Sequence, residues 1–211
     1  MPIHRRSLLS LTAAGLAMPA LARAQADKVV PATAIETQAW ETPRTMGKPD
    51  AKTEVQEFFS LTCTHCAAFA QNTFPDVEKN LIDTGKVRWV FHDFPLDRVA
   101  LQAAMVARAL PPERYAPFVL ALFSSQDRWA FAQGVDTKDE IWKLAALAGL
   151  SRAAFDAAWS DIPLRDWIIA QQSANEKKYA IDSTPTFLIN GKKQSGDMSY
   201  DAFVKLIPNA A

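Results

Sequence analysis

The period of apolar and polar positions changes along the chain, and the changes mark out its elements. TEVQEFF, from Thr53 to Phe59, is dense in valine and phenylalanine and reads as a strand. Directly after it, Cys66, Ala70, Thr73, Val77 and Leu81 recur at the spacing of one helical face. That helix is expected to reach Gly85 as its cap, with a kink at Pro75, whose ring removes a backbone donor; two short helices are the alternative. VRWVFHDFP, from Val87 to Pro95, is the next strand. From Asp97 to about Ile181 the period is helical. DRVALQAAMVARAL places Val99, Ala103, Val106 and Leu110 on one face, and ERYAPFVLALFSS, TKDEIWKLAALAGL, SRAAFDAAWSD and LRDWIIAQQSANEKKYA follow, several behind Thr or Ser caps. TPTFLI and KKQSG then form a hairpin across Asn190-Gly191, and SYDAFVKLI closes the chain as a helix. Upstream, AWETPRTMG offers an edge strand interrupted by Pro43, and GKPDAK a turn.

This order predicts an α/β unit built from residues 37–96 and 182–208, interrupted by an all-helical insertion at 97–181. The 211 residues suffice for one domain with a large insertion. Trp129, Trp142, Trp159 and Trp167 fall at core-like spacing in the insertion.

Residues 1–24 read as a cleaved signal peptide. They carry Arg5 and Arg6, an apolar stretch from Leu8 to Ala22, and a small-x-small site at Ala22-Arg23-Ala24. The Arg pair followed by Leu8 and Leu9 is compatible with a twin-arginine or an ordinary secretory route. Gly15 and Pro19 interrupt the apolar stretch, which is too short to span a membrane. Removing it changes the charge. The full chain is neutral, whereas the remainder has 20 basic and 23 acidic side chains, a net −3. That balance excludes nucleic acid as an expected partner. Export implies an oxidising compartment.

The only cysteines, Cys63 and Cys66, flank Thr64 and His65. A structural zinc site needs about four Cys or His ligands. Outside the pair the chain adds only His92 and, in the leader, His4. A structural disulfide would close a very short loop and stabilise little. A redox pair fits the position, where a strand gives way to a helix. Unpaired N–H groups and the helix dipole there favour a thiolate, and a charged His65 would add to this. A stabilised thiolate stabilises the reduced form and makes the disulfide the stronger oxidant.

EFFSLTCTHC, from Glu57 to Cys66, resembles the active-site segment of the DsbA family of periplasmic disulfide oxidoreductases. STPTFLING, from Ser183 to Gly191, is similar to that family's cis-proline loop and following strand. The resemblance implies a thioredoxin-like fold with a large helical insertion, and no cofactor beyond a redox-active Cys63–Cys66 disulfide. It implies that the enzyme introduces disulfides into reduced, unfolded exported proteins and is reoxidised by a membrane quinone-linked, DsbB-like partner. Cys63 would be the attacked sulfur and Cys66 its buried partner. Thr64 and His65 would tune the pair, Glu57 would be a buried acid and proton relay, and Thr184 with a cis Pro185 would present backbone to substrate. Thr64 stands where the best-known oxidase has proline, and Thr184 where it has valine; threonine before the cis-proline also occurs in isomerase and reductase relatives. An isomerase or reductase on the same fold is therefore the alternative, and a non-catalytic binding or chaperone module a third reading.

Glu57 shares a strand face with Val55 and Phe59, where a carboxylate is costly without a role or a partner. Arg88 is expected as its counter-charge. His92, near a strand end beside Asp93, is expected to be structural.

Overall fold

The computed structural model describes residues 39–208. The leader expected at 1–24 lies outside them. Among the described residues five strands form one mixed sheet: β1 (Arg44–Met46), β2 (Thr53–Phe59), β3 (Val87–Asp93), β4 (Thr186–Ile189) and β5 (Lys192–Ser195). Their spatial order is β1-β3-β2-β4-β5. Only β2 and β3 run parallel; the other neighbours are antiparallel. β4 is buried on both faces, which explains the near-continuous apolar run TFLI, whereas β2 alternates before its buried end. Asn190 and Gly191 have φ of 47° and 82°, the double positive φ that matches a tight hairpin to strand twist.

The expected edge strand begins only after Pro43. The residues before it form a short 3₁₀ turn, Ala39–Glu41, which buries Trp40. The active-site helix is also shorter than its periodicity suggests. α1 (Thr64–Asn72) ends at Thr73 and α2 (Phe74–Val77) restarts there. Pro75 thereby falls in the first turn of α2, where its missing N–H has no intrahelical partner to lose. Thr73 Oγ1 donates to the Met198 carbonyl at 2.6 Å, fixing the break. A π turn, Glu78–Ile82, completes the segment before Gly85.

Between β3 and β4 lie α3 (Arg98–Ala109), α4 (Pro112–Ser124), α5 (Gln126–Trp129), α6 (Thr137–Leu147), α7 (Arg152–Trp159) and α8 (Ile162–Tyr179). α9 (Tyr200–Val204) follows β5. Ser151 and Ser199 cap α7 and α9, and Asp97, Asp136 and Asp161 cap α3, α6 and α8. A carboxylate satisfies the free N–H groups and also meets the positive end of the helix dipole.

Phe69, Trp89, Phe187 and Phe203 pack edge and face between α1, the sheet and α9. Phe59 against Phe123 extends this apolar cluster into the helices after β3. α4 packs on α1, and α8 returns to β3. Trp129 is buried, whereas Trp142, Trp159 and Trp167 are partly buried against the core. At the seam, buried Asp93 accepts from Arg108 Nε and, at 2.7 Å, from Tyr115 Oη. Arg108 also donates to the Trp40 carbonyl at 3.2 Å.

Candidate active site

β2 ends at Phe59, and a short turn delivers Cys63 to the start of α1. Cys63 N donates to Ser60 O at 3.0 Å. Cys63 is itself the helix N-cap, with extended backbone (φ −78°, ψ 119°), and its Sγ accepts from Cys66 N at 3.4 Å. The sulfur thus occupies the place of a capping oxygen, which suits an anion. Thr64 and His65 are exposed, Cys63 is half-buried, and Cys66, one turn in, is fully buried. Both cysteines are free thiols in this structure.

The two sulfurs are electrostatically unequal. The Cys63 thiol is lowered to about 5. Donation from the Cys66 thiol is the main cause, outweighing Cys63's own burial, with help from Thr184 and from the Cys66 and His65 amides. Burial and the neighbouring Cys63 sulfur push the Cys66 thiol well above its ordinary value. One sulfur is therefore a thiolate at neutral pH and the other a thiol, a pairing suited to exchange.

The Thr184–Pro185 peptide is cis, and the Thr184 carbonyl accepts from Cys63 Sγ at 3.3 Å. The Thr184 hydroxyl is buried without a hydrogen-bond partner, and Thr184 is among the groups that favour the Cys63 thiolate. Two segments 121 residues apart in sequence meet at this sulfur.

Glu57 is 4% exposed. Burial raises its carboxyl to about 8, only partly opposed by Trp89 Nε1, which donates to it at 3.1 Å. At neutral pH Glu57 is thus a protonated acid, and only once ionised would its charge raise the Cys66 thiol further. Arg88 is not its counter-charge. Arg88 pairs with Glu54, its neighbour in the β2–β3 register, on the opposite face of the sheet. His92 lies on that face too, stacked on Phe58 with 4.6 Å between ring centroids and 3.1 Å from Gln56 Oε1. Burial, then Arg108, holds it down to about 4, so it is neutral.

Two residues that the sequence reading did not single out touch the site. Gln126, buried on α5, donates from Nε2 to the carbonyls of Leu61 at 2.8 Å and Cys63 at 3.1 Å. Asp197, in the loop after β5, places Oδ1 3.0 Å from His65 Nδ1. The imidazole expected beside the Cys63 sulfur is therefore paired with a carboxylate. Periodicity gives no sign of either residue, because both act through distant contacts of a helix end and a loop. Among the described residues no group of three or more His, Cys, Asp or Glu side chains is placed to hold a metal. No helix there is long and apolar enough to cross a membrane.

Residues 39–209 match the family described as Thioredoxin. DsbA, the thiol:disulfide interchange protein of Salmonella typhimurium, is 30% identical over 74% of this chain and 75% of its own length. A Rickettsia felis protein named for protein-disulfide oxidoreductase activity is 28% identical over 78% of this chain. The chain spans 59% of the length of that longer relative. The crystal structure of Wolbachia pipientis alpha-DsbA1 superposes with a TM-score of 0.74 at 32% identity, covering 79% of this chain and 89% of that one.

Proposed function

Since this chain belongs to the DsbA family of thioredoxin-fold disulfide oxidoreductases, we propose that it introduces disulfides into reduced, exported proteins in the periplasm through the Cys63–Cys66 pair. The observation that carries this reading is the inequality of the two sulfurs, a thiolate held down to about 5 above a buried thiol.

In the oxidised enzyme a substrate thiolate attacks Cys63 Sγ, the accessible sulfur. The Cys63–Cys66 bond breaks, and Cys66 leaves as a thiolate. Its raised pKa makes it take up a proton, which protonated Glu57 beneath it can relay. A second substrate thiolate then attacks the substrate sulfur of the mixed disulfide and expels Cys63. Cys63 leaves readily because its thiolate is stabilised. The substrate gains a disulfide, and the enzyme becomes a dithiol carrying two electrons. A membrane quinone-linked, DsbB-like partner would take those electrons and restore the enzyme disulfide. The cis-proline loop supports this sequence of steps, since the Thr184 backbone lies against the attacked sulfur and can hold an extended substrate segment beside it. In this reading residues 37–96 and 182–208 form the thioredoxin-like unit, 97–181 an inserted helical domain, and 1–24 the export signal.

The test is stoichiometric. Oxidised enzyme is mixed with a peptide carrying two cysteine thiols, and peptide disulfide is followed by mass. The wild type should oxidise the peptide at neutral pH, and Cys63→Ala should not. Wild-type enzyme that leaves the peptide reduced while reducing an added peptide disulfide would place the protein with the reductases.

A further inference from the structure

Three consecutive residues of the loop after β5 bind the parts of the site to one another. Gly196 N donates to Pro185 O at 2.8 Å, and its φ of 88° favours glycine there. Asp197 Oδ1 lies 3.0 Å from His65 Nδ1. Met198 O accepts from Thr73 Oγ1 at 2.6 Å. One strap thus fixes the cis-proline loop, the imidazole between the cysteines, and the break between α1 and α2. The other ionisable groups on the elements meeting here are Cys63 at the cap of α1 and Cys66 within it, Glu54 and Glu57 on β2, Asp76 on α2, Asp182 ahead of the cis-proline, Lys192 and Lys193 on β5, and Tyr200 and Asp201 on α9. Meanwhile Cys63 Sγ bonds to Thr184 O and Cys66 N, and His65 reaches that sulfur through its backbone N–H.

We propose that Asp197 is a positioning residue that restrains the oxidising strength of the pair, by holding the His65 ring on the strap and cancelling its charge. This deepens the function proposed above and rests on it. The carboxylate and a protonated ring beside it together present little net charge to the sulfur, whereas a protonated ring without a counter-ion presents a full positive charge. Positive charge near Cys63 stabilises its thiolate, hence the dithiol, and makes the disulfide a stronger oxidant. Asp197 therefore sets this enzyme below the strength that its CxHC motif would otherwise reach.

The test is the equilibrium with glutathione at about pH 6 and low salt. Enzyme disulfide and two glutathione thiols give enzyme dithiol and glutathione disulfide, so two electrons and two protons pass to the enzyme. Asp197→Asn keeps the size and the acceptor and removes the charge. It should raise the constant for enzyme reduction roughly three- to tenfold and move the Cys63 titration acid-ward in parallel. Asp197→Glu should stay within about twofold of wild type, since the charge is retained. Because His65 and Asp197 are 70% and 39% exposed, about 1 M salt should shrink the Asn effect. An Asn variant equal to wild type, one shifted towards a weaker oxidant, or a shift insensitive to salt would overturn the inference. A wild type that exchanges normally beside such a variant leaves the proposed function standing. A wild type that does not exchange with glutathione at all removes both.

Discussion

Cys63 and Cys66 are the same residue type two positions apart, and their surroundings make them chemically different. Cys63 caps a helix and collects donors from the Cys66 thiol and two amides, whereas burial and the neighbouring Cys63 sulfur raise Cys66. Glu57, buried on β2, gives a test at the same scale. Its carboxyl has an ordinary value of 4.5 and a folded value of about 8. The unfolded chain therefore ionises this group first. Its contribution to stability is fully present below the unfolded value and is lost as pH rises through the folded one. Wild-type stability should fall by roughly 2 kcal/mol between about pH 6 and pH 8 from this group alone. Glu57→Gln should flatten that slope in chemical denaturation at the two pH values. An unchanged slope would show that the carboxyl titrates elsewhere in the pH range.

At the scale of elements, the strand-to-helix junction and the hairpin were legible in the sequence because they depend on local pattern. TEVQEFF is strand β2 as read, and Asn190-Gly191 makes the tight turn. Contacts between elements were not legible. Arg88 was expected to serve Glu57, but strand alternation puts them on opposite faces, and the register gives Arg88 to Glu54 instead. The helix breaks at Thr73, just before Pro75, and the hydrogen bond that holds the break reaches Met198, 125 residues away in sequence. Gln126 is the clearest case, an unremarked polar residue on α5 that holds two carbonyls of the active-site turn. Gln126→Leu, similar in volume and without donors, should cost about 1–3 kcal/mol of unfolding free energy. It should also speed hydrogen exchange at the amides of Cys66 and Ala67, relative to those of β3. Equal exchange in both variants would mean that the turn holds its shape without this clamp.

On the scale of the whole molecule, the sheet and the inserted helices share one apolar cluster and a buried polar seam. Asp93 at the end of β3 joins Arg108 of α3 to Tyr115 of α4, and Arg108 goes on to the Trp40 carbonyl. The Arg108 charge is held by Asp93 against the cost of burial. Removing one partner of a buried pair costs about 3–5 kcal/mol, because the other charge is left uncompensated. Asp93→Asn should therefore lower the unfolding free energy by about 3 kcal/mol or more, measured with denaturant at neutral pH. A loss under about 1 kcal/mol, the range of an exposed pair, would show that the seam contributes little to holding the helices on the sheet.

The whole arrangement serves one sulfur. The β2–α1 junction aims it, α5 holds its turn, and the cis-proline loop supplies its carbonyl neighbour. The direct measurement is the thiolate absorbance of the reduced protein near 240 nm across pH, with Cys63→Ala as the blank. A single midpoint near pH 5, absent in the blank, is the predicted result. A midpoint at about 8.5, the value of an ordinary free cysteine, would contradict the account.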